Sequence, residues 1–222
     1  MPDGGAARRH VAAARRLRTI LIALLVLNAI AAWAEMLGMY TLGERAWQSL
    51  RDRVIPQPIA LHLLQLEVVR RAHGLLWLAT VPVFLLWIRW IHWSVTVFGA
   101  LSPPFSARAA VSAFIVPLVN LVAPVRMVRA LWAAGTPDDV PPPAGTRSPL
   151  VPCWWALVVA GALLDPFWSR VWGDVEKLAL GGPTLVLVLA QLTEIAAAIL
   201  GISIVYAVSE VQSELMSRET ER

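Results

Sequence analysis

Five apolar stretches mark the chain, at 19–40, 72–93, 109–131, 150–168 and 183–208, and polar or proline-rich segments divide them. A helix rises ~1.5 Å per residue, so roughly 20 apolar residues cross a hydrocarbon core about 30 Å thick. The pattern predicts an all-α, polytopic helical membrane protein with a single membrane domain over 19–208. Four stretches read as transmembrane helices. The third, 109–131, carries two prolines and is either a fifth, kinked crossing or a re-entrant segment.

The connections are equally specific. Residues 1–18 form a basic tail expected on the cytoplasmic side, and Ala32-Trp33-Ala34 before Glu35 offers a rival reading as a signal-peptide cleavage site. Thr41–Pro58 reads as an interfacial amphipathic helix: Thr41 and Glu44 have capping-box spacing, Ala46, Trp47, Leu50 and Val54 share one face, and Pro56 and Pro58 end it. Glu67 precedes Arg70 and Arg71 in the order that favours helical ion pairs, at what reads as a solvated helix end. Trp87, Trp90 and Trp93, with Arg89 and His92, suggest an interfacial aromatic belt. Residues 135–149 form a proline-rich loop, Asp165-Pro166 is expected to stop the fourth span, and Ala197 and Gly201 give the last one a small-residue face. The tail 209–222 is charged and expected to be helical before it frays.

The third stretch holds the most distinctive text: Pro117-x-x-Asn120-Leu121-x-x-Pro124, then Arg126, Arg129 and Trp132. Each proline removes a backbone donor and frees a carbonyl that must find another partner in lipid. Asn120 lies between the prolines and is placed to supply that partner. SPPFSARAAVSAFIVPLVNLVAPVRMVRALW, preceded by FLLWIRWIH and followed by Trp154-Trp155, resembles the bacterial membrane family called domain of unknown function 4328. The likeness lies in the Ser-Pro lead-in, the Pro-x-x-Asn-Leu core, the second proline and the Arg-x-Leu-Trp exit. It implies a helical membrane protein and carries no assigned activity. The chain departs from the family pattern at Val111, Ser112 and Ala113, at Ser94 and at Ala130.

Composition narrows the class further. Hydrophobic residues make up 58% of the chain and charged ones 15%, with eleven tryptophans, which is a membrane composition. No basic block is dense enough for nucleic acid, so the arginines point instead to anionic lipid headgroups, with a protein partner or a second copy as further candidates. Five crossings would divide the Lys and Arg residues nine inside to ten outside, whereas four crossings plus a re-entrant segment give twelve to seven. Because positive charge favours the cytoplasmic side, the second arrangement is preferred, in a bacterial inner membrane with a cytoplasmic N-terminus.

Candidate chemistry concentrates on intramembrane polar groups: Asn28, Glu35, Gln191 and Glu194. A carboxylate near mid-span costs about 2.5–3.5 kcal/mol on insertion scales and is by default a functional hypothesis. Asn120, Asn28 and Glu35 are the expected partners of Glu194. The histidines are His10, His62, His73 and His92, and their positions imply no haem or other cofactor. No catalytic motif is present, and lone Cys153 excludes a cysteine metal cluster. The leading expectation is a non-enzymatic scaffold or accessory subunit acting through helix and lipid contacts. The alternative is a small transporter or proton-coupled module using Glu194 and Asn120.

Overall fold

The structure is a computed structural model that describes residues 4–52, 57–98, 104–115, 119–135, 149–171 and 182–221. All regular structure among them is helical: α1 (Gly4–Asp52), α2 (Gln57–Phe98), α3 (Ala107–Ser112), a 3-10 turn (Val119–Leu121), α4 (Ala123–Ala134), α5 (Leu150–Val171) and α6 (Gly182–Glu221). Among the described residues, three stretches are long and apolar enough to cross a membrane: Ala12–Thr41, Leu64–Val97 and Val188–Leu215. The apolar part of α5, Leu150–Leu164, is shorter.

Two helices outrun the expected stops. The Thr41 hydroxyl donates back to the carbonyls of Leu37 and Gly38, at 3.1 and 3.0 Å, instead of capping a new helix. No proline lies between Thr41 and Asp52, so nothing removes a backbone bond and α1 continues. α5 likewise passes through Asp165-Pro166 to Val171, and α2 contains Pro82. A proline forfeits one bond of the helical ladder, and apolar helices absorb that loss by local adjustment. The Pro-rich loop lies outside the described residues apart from Gly135 and Pro149, as do the end of the expected amphipathic helix, Arg53–Pro56, and most of the connection at 169–182.

The chain divides into two compact units. The first comprises Met1–Leu25, Ala79–Trp155 and Leu200–Arg222. Its core is aromatic: Phe84 meets Phe114 edge-on and packs at a tilt against Trp87 and Trp154, and Phe114 meets Trp155 edge-on at 5.6 Å between centroids. Trp87 is only 1% exposed and donates its indole N–H to Ser209 Oγ at 3.2 Å, so it belongs to this core and not to an interfacial belt. α2 and α6 run parallel here, Trp87 meeting Ser209 and Ser94 Oγ donating to Gln212 Oε1 at 2.6 Å. α1 and α6 run antiparallel, Arg18 reaching Glu210 while Gly201 lies beside Leu25. A Cβ at Gly201 would stand 3.1 Å from Trp154 Nε1, which gives half of the expected small-residue face a concrete purpose. The tail at 209–222 is therefore packed at its start, with Ser209 and Gln212 buried.

The proline-bearing segment also belongs to this unit, and it is not one continuous helix. The Ser106 side chain accepts the Ala109 N–H at 3.2 Å and caps α3, which ends after six residues. A turn follows, closed by Ile115 N–H to the Ser112 carbonyl, and Val122 N–H then bonds the Val119 carbonyl. Pro124 sits in the first turn of α4, where its missing N–H costs nothing. Pro117 lies outside the described residues.

The second unit comprises Val26–Leu78 and Ala156–Ile199. α1 and α2 are antiparallel in it: Glu35 faces His73, and a Cβ at Gly38 would come within 3.0 Å of Leu66 Cδ1. α5 presents Gly161 to Glu194, where a Cβ would lie 3.5 Å from Cγ of the glutamate.

Candidate functional site

The second unit holds all four polar residues expected to lie within the membrane, and it organises three of them around a histidine. His73 Nδ1 lies 2.9 Å from Glu35 Oε1, and His73 Nε2 lies 3.4 Å from Glu194 Oε2. Gln191 Nε2 donates to the other Glu35 oxygen, Oε2, at 3.0 Å. The side chains of His73, Glu35 and Glu194 are 7, 11 and 20% exposed. α1 thus supplies Glu35, α2 His73 and α6 both Gln191 and Glu194. Gly161 of α5 brings no ionisable group.

The geometry limits the chemistry. The two ring nitrogens of an imidazole face apart, so the carboxylates stand on opposite edges of one ring and do not converge on a common ion. In keeping with this, no group of three or more His, Cys, Asp or Glu among the described residues is arranged to hold a metal. What the ring can do is carry protons. A neutral imidazole has one N–H, so meeting both carboxylates takes an imidazolium between two carboxylates, or a neutral ring between a carboxylate and a carboxylic acid. Both arrangements hold two protons and a net charge of −1. They differ only in where one proton sits. The short contact to Glu35 is a charge-assisted hydrogen bond, whereas 3.4 Å to Glu194 is ion-pair range with a looser grip.

The cluster also contains an unsatisfied acceptor. Gln191 Oε1 is buried with no hydrogen-bond partner among the described residues. Leaving a buried acceptor unpaired costs about 1–3 kcal/mol.

The remaining sequence candidates are placed elsewhere. Asn28 is buried in the second unit. Asn120 belongs to the first unit, where its backbone carbonyl accepts the Trp155 indole N–H at 2.7 Å. Arg126 is exposed, Arg129 is half-buried, and Pro124 and Trp132 pack into the core. These residues shape the broken segment and do not join the ionisable cluster. His73 is the member that the reading of the residues missed, because the histidines were weighed only as haem ligands. A signal was available: His73, Thr80, Trp87 and Ser94 recur every seven residues, and all four are buried. Polar residues on a helix's buried stripe mark contacts across helices.

No curated protein and no solved structure matches the chain. One family model does, over residues 65–210, a range that includes His73, Gln191, Glu194 and the whole proline-bearing segment and leaves Glu35 outside. With about two thirds of its length so matched, the chain belongs to the family described as Domain of unknown function (DUF4328).

Proposed function

We propose that this is a multi-pass membrane protein whose Glu35–His73–Glu194 cluster binds and exchanges a proton. α1, α2 and α6 cross the bilayer and α5 makes a fourth crossing. The segment from α3 to α4 dips in and returns, with the N-terminus in the cytoplasm. Support for the dip comes from its turn, where Ile115, Val119, Leu121 and Val122 are 45–62% exposed and are bracketed by exposed Arg108 and Arg126. An apolar tip between arginines fits a half-inserted segment.

The observation that carries the proton reading is one histidine held between two carboxylates on separate helices. The two carboxylates share one ring, and Gln191 Oε1 adds a buried acceptor with no hydrogen-bond partner among the described residues. Intramembrane His and Glu that pair with one another are a recurrent element of proton relays. The test is proton flux in proteoliposomes carrying a trapped pH dye under an imposed pH gradient. Flux should fall at least tenfold in Glu194→Gln and His73→Gln while both variants remain folded. Equal flux in protein-free vesicles, or in both variants, would sink the reading.

A second reading, as a scaffold or accessory subunit, rests on a different observation. Leu61, Leu64, Val68, Leu75 and Leu78 form an exposed apolar line along α2, 61–71% exposed. Such a line suits lipid or a partner helix. A stable protein with no flux, co-purifying with a second membrane chain, would favour it.

A further inference from the structure

The first unit holds a cavity of about 170 Å³ that the ionisable cluster does not explain. Arg15, Arg18, Trp90, Ser209, Glu210 and Ser213 line it. Glu210 already has its partner, since Arg18 Nη1 lies 3.1 Å from its Oε2 and the Arg18 guanidinium sits 5.4 Å over the Tyr206 ring. Ser209 accepts from Trp87, and Ser213 donates to the Glu210 carbonyl. Two other groups bring donors to the cavity. Arg15 is exposed and carries a positive charge, and the buried Trp90 Nε1–H has no hydrogen-bond partner among the described residues. Set against the carboxylate of Glu210, the two guanidinium groups leave the cavity one positive charge in excess.

Its position along the helices matters as much. Arg15 and Arg18 lie three and six residues inside the start of the Ala12–Thr41 stretch, and Trp90 lies seven residues before Val97. Ser209, Glu210 and Ser213 fall in the last seven residues before Leu215. At ~1.5 Å per residue all of them stand within about 10 Å of a span end, where the headgroup region begins. The volume equals about five to six waters at ~30 Å³ each, enough for a phosphate group but not for a whole lipid.

We infer that this cavity holds the phosphate of a phospholipid headgroup, with the Arg15 fork and the Trp90 indole N–H on its oxygens and the acyl chains outside. Arginine suits a tetrahedral oxyanion because its donors form a rigid fork. Tryptophan supplies a donor at the depth where its ring is at home. Glu210, neutralised by Arg18, keeps the excess charge small and so selects a phosphodiester over a more highly charged anion. The inference rests on reading the three apolar stretches as membrane spans and is independent of the proton cluster.

The test uses the full chain in detergent, with dioleoyl-phosphatidylglycerol, dioleoylglycerol and inorganic phosphate as probes and thermal unfolding and native mass spectrometry as readouts. The phospholipid should be retained on the protein and raise its melting temperature, and dioleoylglycerol should do neither. Trp90→Phe, which keeps an aromatic ring and loses the donor, and Arg15→Gln, at an exposed site, should each weaken retention about tenfold with the melting temperature of the delipidated protein unchanged. Undiminished retention in both variants, or equal retention of dioleoylglycerol, would overturn the site. Inorganic phosphate binding as tightly as the lipid would overturn the lipid assignment. Extraction of the protein from membranes by alkaline carbonate alone would overturn the membrane reading instead.

Discussion

The Trp155 indole N–H donates to the backbone carbonyl of Asn120 at 2.7 Å and so ties the start of α5 to the break between α3 and α4. The motif asparagine thus acts through its main chain, at a point where the helical ladder has been interrupted. Trp155→Phe keeps the ring contacts with Phe114 and Trp154 and deletes only this bond. An orphaned, part-buried carbonyl costs about 1–3 kcal/mol, so the variant should melt several degrees below the parent in detergent. An unchanged melting temperature would mean that the carbonyl is satisfied without Trp155.

His73→Ala should be the most damaging single change in the ionisable cluster. It leaves Glu35 and Glu194 in an apolar setting without the group between them, and breaking a buried pair costs about 3–5 kcal/mol. The damage should be relieved by adding Glu194→Gln, which removes one of the stranded charges. A thermal double-mutant cycle that came out additive would show that the groups do not interact. Glu194→Gln alone should be tolerated far better than Glu194→Ala, because the amide keeps the hydrogen-bonding capacity that Ala deletes.

Gly135→Ala tests the packing of α4 on α6. A Cβ there would collide with the Gln212 amide, which is fully buried and bonded to Ser94. Overpacking of this kind costs about 1–3 kcal/mol. Combining Gly135→Ala with Gln212→Ala should be less destabilising than the two single changes summed, as measured by thermal unfolding.

Sidedness of the broken segment is testable with the exposed arginines at its two ends. In a Cys153→Ser background, Arg108→Cys and Arg126→Cys should both resist a membrane-impermeant thiol reagent in intact cells and react after permeabilisation. Labelling at Arg126→Cys alone in intact cells would establish a full crossing and end the re-entrant proposal.

Much of this was legible in the chain, and the boundary of what was legible is physical. Apolar length marks Ala12–Thr41, Leu64–Val97 and Val188–Leu215 because lipid sets a minimum span that composition alone reveals. Cost marks Glu35, Gln191 and Glu194, since polar groups at such depth stand out against their neighbours. Pairing between helices was not legible. That Glu194 meets His73 and not Asn120 depends on how α2 and α6 are rotated and shifted, and that register leaves no local trace. His73 was hidden by its charged neighbour Arg71, although at about 100° per residue a histidine two positions on points to the opposite side of the helix. Trp87 misled for the converse reason: tryptophan suits a membrane interface and a core equally, and only its bond to Ser209 decides between them.

The two proton arrangements of the Glu35–His73–Glu194 cluster have an electrical consequence. Moving one elementary charge across the whole bilayer is worth about 2.3 kcal/mol per 100 mV. A hop across the gap of 3.4 Å between His73 and Glu194 covers about a tenth of a ~30 Å core, so a potential of that size biases it by at most ~0.3 kcal/mol, below thermal energy. On the proton reading, the balance between the two arrangements is therefore nearly blind to voltage, and because both hold two protons it does not depend on proton concentration either. Any current that depends on the membrane potential must draw that dependence from the route by which the proton reaches His73, and the steepness of such a current would measure how far into the field the route extends.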